Sequence, residues 1–69
     1  MKRAILDALE AQNQADIAHA DATLKIYFES SVGIGEHPQH VEECNKLIDK
    51  IANAKEKLEV LKEFEPEKL

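Results

Sequence analysis

The chain has 69 residues, and 14 acidic against 9 basic side chains give it a net charge of −5. This charge disfavours nucleic acid as a ligand, since binding to a phosphate backbone depends on clustered Lys and Arg. A chain of this length makes one domain, residues 1–69, whose single core is too small to stabilise it strongly without a metal, an oligomer or a disulfide.

The cysteine count and the N-terminus indicate where the protein resides. The lone Cys44 cannot form a disulfide within the chain, and a single thiol is typical of a reducing compartment. Only three apolar residues separate Met1-Lys2-Arg3 from Asp7, which is far short of a secretory signal. No apolar run approaches the roughly 18 residues that span a bilayer. The sequence therefore predicts a cytoplasmic protein without a membrane anchor, stabilised by a metal or by oligomerisation.

Residues 2–30 contain no Gly or Pro and are rich in Ala and Leu, which predicts a first helix over that range. Asn13 interrupts the helix's main apolar stripe, and we interpret it either as a plain, partly exposed residue or as a polar pair that sets register across a symmetric interface. The stripe consists of Leu6, Leu9, Ile17, Ala20, Leu24, Tyr27 and Phe28.

Roughly opposite this stripe lies an alanine seam in heptad rhythm, continued approximately by Ile26. Since Ala is the best helix former, the seam can simply fill a solvated face. Small side chains also allow a second helix to approach closely, in which case the seam is an interface with another subunit. Its members are Ala4, Ala8, Ala11, Ala15, Ala18 and Ala22.

The predicted loop, residues 31–37, reverses the chain. Gly33 can take the left-handed conformation that commonly follows a last helical turn. Gly33-Ile34-Gly35 invites a phosphate-loop interpretation, but no strand precedes it and no Gly-Lys-Ser/Thr follows it. Glu36 and His37 are polar residues that a turn alone does not require. The candidate functional tip therefore consists of Gly33, Gly35, Glu36, His37 and Pro38.

Pro38 suits the first turn of a second helix, which we predict over residues 38–64 with a short tail at 65–69. One side of this helix is polar, with i,i+4 charge pairs at Glu42/Lys46 and Lys55/Glu59. Two helices of similar length joined by a short loop predict an all-α, antiparallel two-helix hairpin, which we expect to assemble into a four-helix bundle or a larger helical oligomer. The apolar stripe consists of Val41, Cys44, Leu47, Ile48, Ile51, Ala54, Leu58 and Leu61. The polar side consists of Glu42, Lys46, Asp49, Asn53, Glu56, Lys57 and Glu63.

A metal site is one chemical hypothesis for this chain. His37, His40 and Cys44 have i, i+3, i+7 spacing, which places them on one side of the second helix, and their donor atoms suit Zn²⁺. The alternative is a capping His37, an exposed or packing His40 and a core Cys44. We favour the alternative, because no paired CxxC or HExxH motif is present, and we predict neither a metal nor a cofactor.

Catalysis has little support in the sequence. Ser30 and Ser31 form a helix exit rather than a Gly-x-Ser-x-Gly elbow, and Glu42 and Glu43 point to different sides of their helix. A hairpin also offers no deep cleft. We therefore expect that the protein is not an enzyme.

The string Val32-Gly33-Ile34-Gly35-Glu36-His37-Pro38 precedes an acidic amphipathic helix that ends in Glu59-Val60-Leu61-Lys62-Glu63-Phe64. Over about residues 24–64 the chain resembles small uncharacterised proteins encoded by tailed phages. The resemblance implies a hairpin and a phage origin, and hence the host cytoplasm, but no mechanism.

The function we expect is that of a non-enzymatic, self-associating helical interaction or accessory protein whose main partner is a second copy of itself. An alternative is an inhibitor or modulator of a host protein that presents an acidic helical surface containing Asp7, Glu10 and Asp21. A third hypothesis is a small metal-binding protein that uses His37, His40 and Cys44.

Overall fold

The computed structural model describes residues 1–29 and 38–65. Helix α1 spans Lys2–Glu29, and helix α2 spans Pro38–Leu61 and continues as a 3-10 turn over Lys62–Phe64. The two helices pack against each other along their lengths. The predicted all-α helical hairpin is therefore confirmed. Within the described ranges, neither helix combines the length and the apolarity that crossing a membrane requires.

The helix ends differ slightly from the predicted ones. The second helix was predicted to residue 64, but its α-helical part ends at Leu61 and the last three residues tighten into a 3-10 turn. Glu65 follows with extended backbone angles, φ −89° and ψ 121°, as expected of a residue before proline. Ser30, the predicted loop at 31–37 and residues 66–69 of the predicted tail lie outside the described residues.

One narrow strip of α1 forms its contact with α2. Leu6, Ala20 and Leu24 are buried there, together with Asn13, at spacings that return to the same side of a helix. The apolar stripe is not buried over its whole width, since Leu9 and Phe28 are 40% and 69% exposed. A single partner helix covers only the centre of the stripe, and these two residues lie on its opposite edges.

Helix α2 behaves in the same way. Ala54 is its one described buried apolar residue, at 3% exposure, whereas Val41 and Ile48 at the edge of the predicted stripe are 67% and 49% exposed. Five members of the stripe are half-buried: Cys44, Leu47, Ile51, Leu58 and Leu61. All seven residues of the predicted polar side are exposed, so the orientation of α2 follows the sequence.

Contacts near both ends establish the antiparallel arrangement. At the open end, Arg3 Nη2 donates to Glu65 Oε2 at 3.1 Å, and Arg3 Nε donates to Asp7 Oδ1 at the same distance. At the loop end, the rings of Tyr27 and His40 meet edge to face, with centroids 5.5 Å apart. Because the Arg3 side chain is 46% exposed, its ion pairs contribute at most about 1 kcal/mol.

The charged surface pairs differently from the prediction. Lys46 Nζ lies 3.3 Å from Glu43 rather than beside Glu42, and Lys62 Nζ lies 3.0 Å from Glu59. Both pairs have i,i+3 rather than the predicted i,i+4 spacing. These two spacings place side chains at similar separations on a helix, so the solvated character of the face is unchanged.

Replacing Leu24 by Ala is expected to lower the free energy of unfolding by about 2–4 kcal/mol, because truncation removes packing and leaves a cavity. Leu24 is 4% exposed. Urea unfolding followed by circular dichroism measures the change. The matched control is Ile26→Ala, at a position 68% exposed, which should change stability by less than about 0.5 kcal/mol. Equal losses in the two variants would contradict this placement of the core.

Candidate interaction surface

The tip of the hairpin lies largely outside the described part of the chain. Gly33, Gly35, Glu36 and His37 are not described, and Pro38 is described only as the first residue of α2. The string that carries the resemblance to phage proteins falls in the same segment. The tip therefore stays a prediction.

The two other residues of the predicted metal set lie on α2. His40 is half-buried and packs its ring against Tyr27, as the structural alternative for this residue predicted. Cys44 is a half-buried free thiol. Within residues 1–29 and 38–65, no group of three or more His, Cys, Asp or Glu side chains could hold a metal ion. Since His37 is not described, the three-residue set itself stays a prediction.

The alanine seam is exposed along its full length and faces away from α2. Its residues lie about half a helical turn from the buried strip marked by Leu6, Ala20 and Leu24, so they take no part in the contact between α1 and α2. Ile26, which continues the seam, is 68% exposed. The seam is thus available either to water or to another chain.

Asn13 is buried within the hairpin at 6% exposure, so its interpretation as a plain, partly exposed residue is wrong. Its Nδ2 donates to the backbone carbonyl of Leu9 at 2.8 Å, one helical turn earlier. This bond supplies a partner for a buried donor, which otherwise would be costly. Across the helix contact the short Ala54 side chain lies at the same level, which leaves room for the amide. The alternative, a polar pair across a symmetric interface, stays a prediction.

An apolar groove runs between the two helices near the chain termini, with a volume of about 380 Å³. We call it the terminal groove. Leu9 and Asn13 form its α1 wall, and Val60 and Leu61 form the apolar part of its α2 wall. Asn53, Glu56 and Lys57 complete the lining. The exposed apolar edges of both helices thus meet in one concave surface.

The terminal groove becomes polar toward the middle of the hairpin. There the lining includes two carboxylates and three ammonium groups: Asp16, Asp49, Lys46, Lys50 and Lys57. This side of the hairpin is therefore locally close to neutral, although the chain as a whole carries a net charge of −5.

The other side of the hairpin has the reverse arrangement. Near the termini, a groove of about 430 Å³ is lined by three leucines and by six charged or amide side chains, including Glu10, Lys55 and Glu59. Val41 and Ile48 precede Lys55 at heptad spacing and so lie on the same side of α2, nearer the loop. The two sides therefore expose apolar residues at opposite ends of the hairpin.

The predicted acidic surface on α1 is partly neutralised by ion pairs. Asp7 pairs with Arg3, and Asp21 Oδ2 lies 2.9 Å from Lys25 Nζ. All of these side chains are substantially exposed. A partner that recognised the negative charge of this helix would have to compete with these local cations.

The sequence identifies none of the groove residues as functional, apart from the interpretation of Asn13 as a polar pair across an interface. Asn53 was assigned to the polar side, and Val60 was placed in no stripe. The available signal was a second, short apolar row: Ile5 and Leu9 are four residues apart, as are Val60 and Phe64, and each pair extends beyond its helix's main stripe. This row predicts an exposed apolar edge beside the contact between the two helices.

No family model matches the chain, and no curated protein or solved structure matches it either.

Replacing Asn13 by Leu is expected to raise the free energy of unfolding by about 1 kcal/mol, because the Leu9 carbonyl keeps its helical bond while a buried amide is removed. Asn13→Asp should lower it by about 2 kcal/mol, because the carboxylate cannot donate and its charge is desolvated. Chemical unfolding of both variants and the wild type at one protein concentration measures this. A loss in Asn13→Leu as large as that in Asn13→Asp would show that the amide makes an essential bond.

Proposed function

We propose that this protein is a non-enzymatic, self-associating helical subunit, and that two hairpins pack into a four-helix bundle. The observation that supports this most strongly is the surface area. The chain exposes 5440 Å², against about 4400 Å² expected for a compact monomer of 7.8 kDa. The hairpin is also extended, with a radius of gyration of 16.0 Å against about 11 Å for a compact chain of 69 residues.

The small core gives the second argument. Among the described residues only four apolar side chains are buried, namely Leu6, Ala20, Leu24 and Ala54, and two of these are alanines. Burial of so few side chains stabilises a fold weakly, because each large one contributes only about 1.5–3 kcal/mol and ordering the backbone opposes it. A second copy would add the buried surface that one hairpin lacks.

The exposed apolar side chains give the third argument. Nine large ones are exposed in the described ranges: Met1, Ile5, Leu9, Ile26, Phe28, Val41, Ile48, Val60 and Phe64. Isolated exposed apolar residues are normal, but Leu9 and Val60 line a common groove. Contiguous apolar surface of this kind is typical of contacts between protein chains.

The accessory role that self-association serves, the phage origin and a cytoplasmic location are parts of the same proposal that rest on the sequence. A host protein remains a second candidate partner on the same basis. Because two acidic residues of α1 already have intrahelical cations, we favour the second copy over a basic host partner.

Light scattering coupled to size exclusion tests this proposal. At tens of micromolar we expect a mass of twice the 7.8 kDa chain or a higher multiple, because each hairpin leaves surface that a second one can cover. A well-folded species with the mass of a single chain at that concentration would contradict the proposal.

A further inference from the structure

We infer that the second copy packs into the terminal groove, so that the two grooves face each other across a two-fold axis. The inference rests on the proposed self-association and names its surface. It selects one side of the hairpin over the alanine seam and over the loop-proximal edge at Val41 and Ile48.

The shape and lining of the groove suit an apolar helix edge. Leu9 and Val60 stand on its two walls, and both remain 40% or more exposed in the hairpin. Ile5 and Phe64 continue these walls toward the termini by one helical turn and are 51% and 53% exposed. Each copy thus supplies both a groove and the apolar walls that can enter a facing groove, as a two-fold contact requires.

The charge distribution favours a second copy on this side. Two chains of net charge −5 repel each other overall. The polar continuation of the groove is close to neutral, with Asp16 and Asp49 beside Lys46 and Lys50. A two-fold contact there can oppose carboxylates and ammonium groups instead of like charges.

The chain as a whole exposes enough surface for a specific dimer. The chain's 5440 Å² exceed the compact-monomer value by about 1000 Å². A standard interface covers about 800 Å² on each partner. An interface of that size lies within the excess of the whole chain, and the terminal groove would form its centre.

The competing surfaces offer less. The alanine seam presents one methyl group per residue, so it buries little apolar area unless two backbones come very close. The other groove also contains leucines, but five charged side chains line it, among them Glu10, Lys55 and Glu59, and they would lose their hydration in a contact. The terminal groove has only two charged side chains in its lining, Glu56 and Lys57. The terminal groove combines larger apolar side chains with balanced charge.

Analytical ultracentrifugation of matched variants tests the inference. Val60→Glu should raise the dimer dissociation constant by about 100-fold or more, because it replaces an apolar wall side chain in each copy by a carboxylate that would lose its hydration in the contact. The same Val-to-Glu change at Val41, and Ala15→Glu on the seam, should alter it by less than about threefold. Both control positions are exposed in the hairpin.

A second pair of variants tests for stronger rather than weaker association, because a variant that merely unfolds cannot bind more tightly. Asn53→Leu should lower the dissociation constant by about tenfold, because it adds apolar area to the groove wall. Asn45→Leu makes the same change at an exposed position that does not line the groove and should have little effect.

The outcomes separate this inference from the proposed function. A monomeric wild-type chain would overturn both. A wild-type oligomer that dissociates with Ala15→Glu or Val41→Glu but not with Val60→Glu would overturn the groove alone and assign the contact to the seam or to the loop-proximal edge. If neither Val60→Glu nor Asn53→Leu changed the dissociation constant of the oligomer, the terminal groove would not be the interface.

Discussion

The structure depends on one constraint: within the described part of the chain, each long helix packs against one other long helix. A single neighbouring helix can cover only the centre of an apolar stripe, so the buried strip is narrow and apolar side chains are left on both of its edges. Leu24 and Ala54 are buried at the centre, whereas Leu9, Phe28 and Val41 are exposed at the edges. Burying these edges requires another chain, which is why we connect the fold with self-association.

At the level of Asn13, the contact between the helices is made by a polar and a small side chain rather than by two large apolar ones. Asn13 is buried and bonded to its own helix, and Ala54 lies at its level on the other helix. Such a pair contributes less burial than two leucines would, but it allows the helices to approach each other closely. At the open end, Arg3 joins α1 to Glu65 through an exposed ion pair, which fixes the arrangement of the ends more than it adds stability.

The helices and their facing sides could be predicted from sequence because both rest on local signals. The Gly- and Pro-free stretch predicted α1, and Glu65-Pro66 predicted the end of α2 to within one turn. The widths of the buried faces could not be predicted in this way. The spacing of apolar residues shows which side of a helix is apolar, but it does not show how many other helices pack against that side. Phe28 and Val41 therefore belong to the apolar stripes of the sequence although they are exposed in the hairpin.

The candidate surface was harder to predict for a related reason. The heptad spacing of the alanine residues favours the alanine seam as an interface. The terminal groove instead combines residues from both helices, such as Leu9 and Val60, and their proximity depends on how the two helices are aligned in the hairpin. The sequence left the environment of Asn13 open, because the spacing of residues along a helix does not show whether a polar side chain is exposed to solvent or packs against a small side chain of the other helix. Its burial and its bond to Leu9 became evident only from the packed structure.

The central claim, that one hairpin is stabilised by a second, is tested most directly by the thermal unfolding midpoint at different protein concentrations. Because association stabilises the folded state by mass action, the account predicts that the midpoint rises by several degrees between low and high micromolar protein. A cooperative transition with the same midpoint at every concentration would contradict it, since the hairpin would then be stable as a single chain.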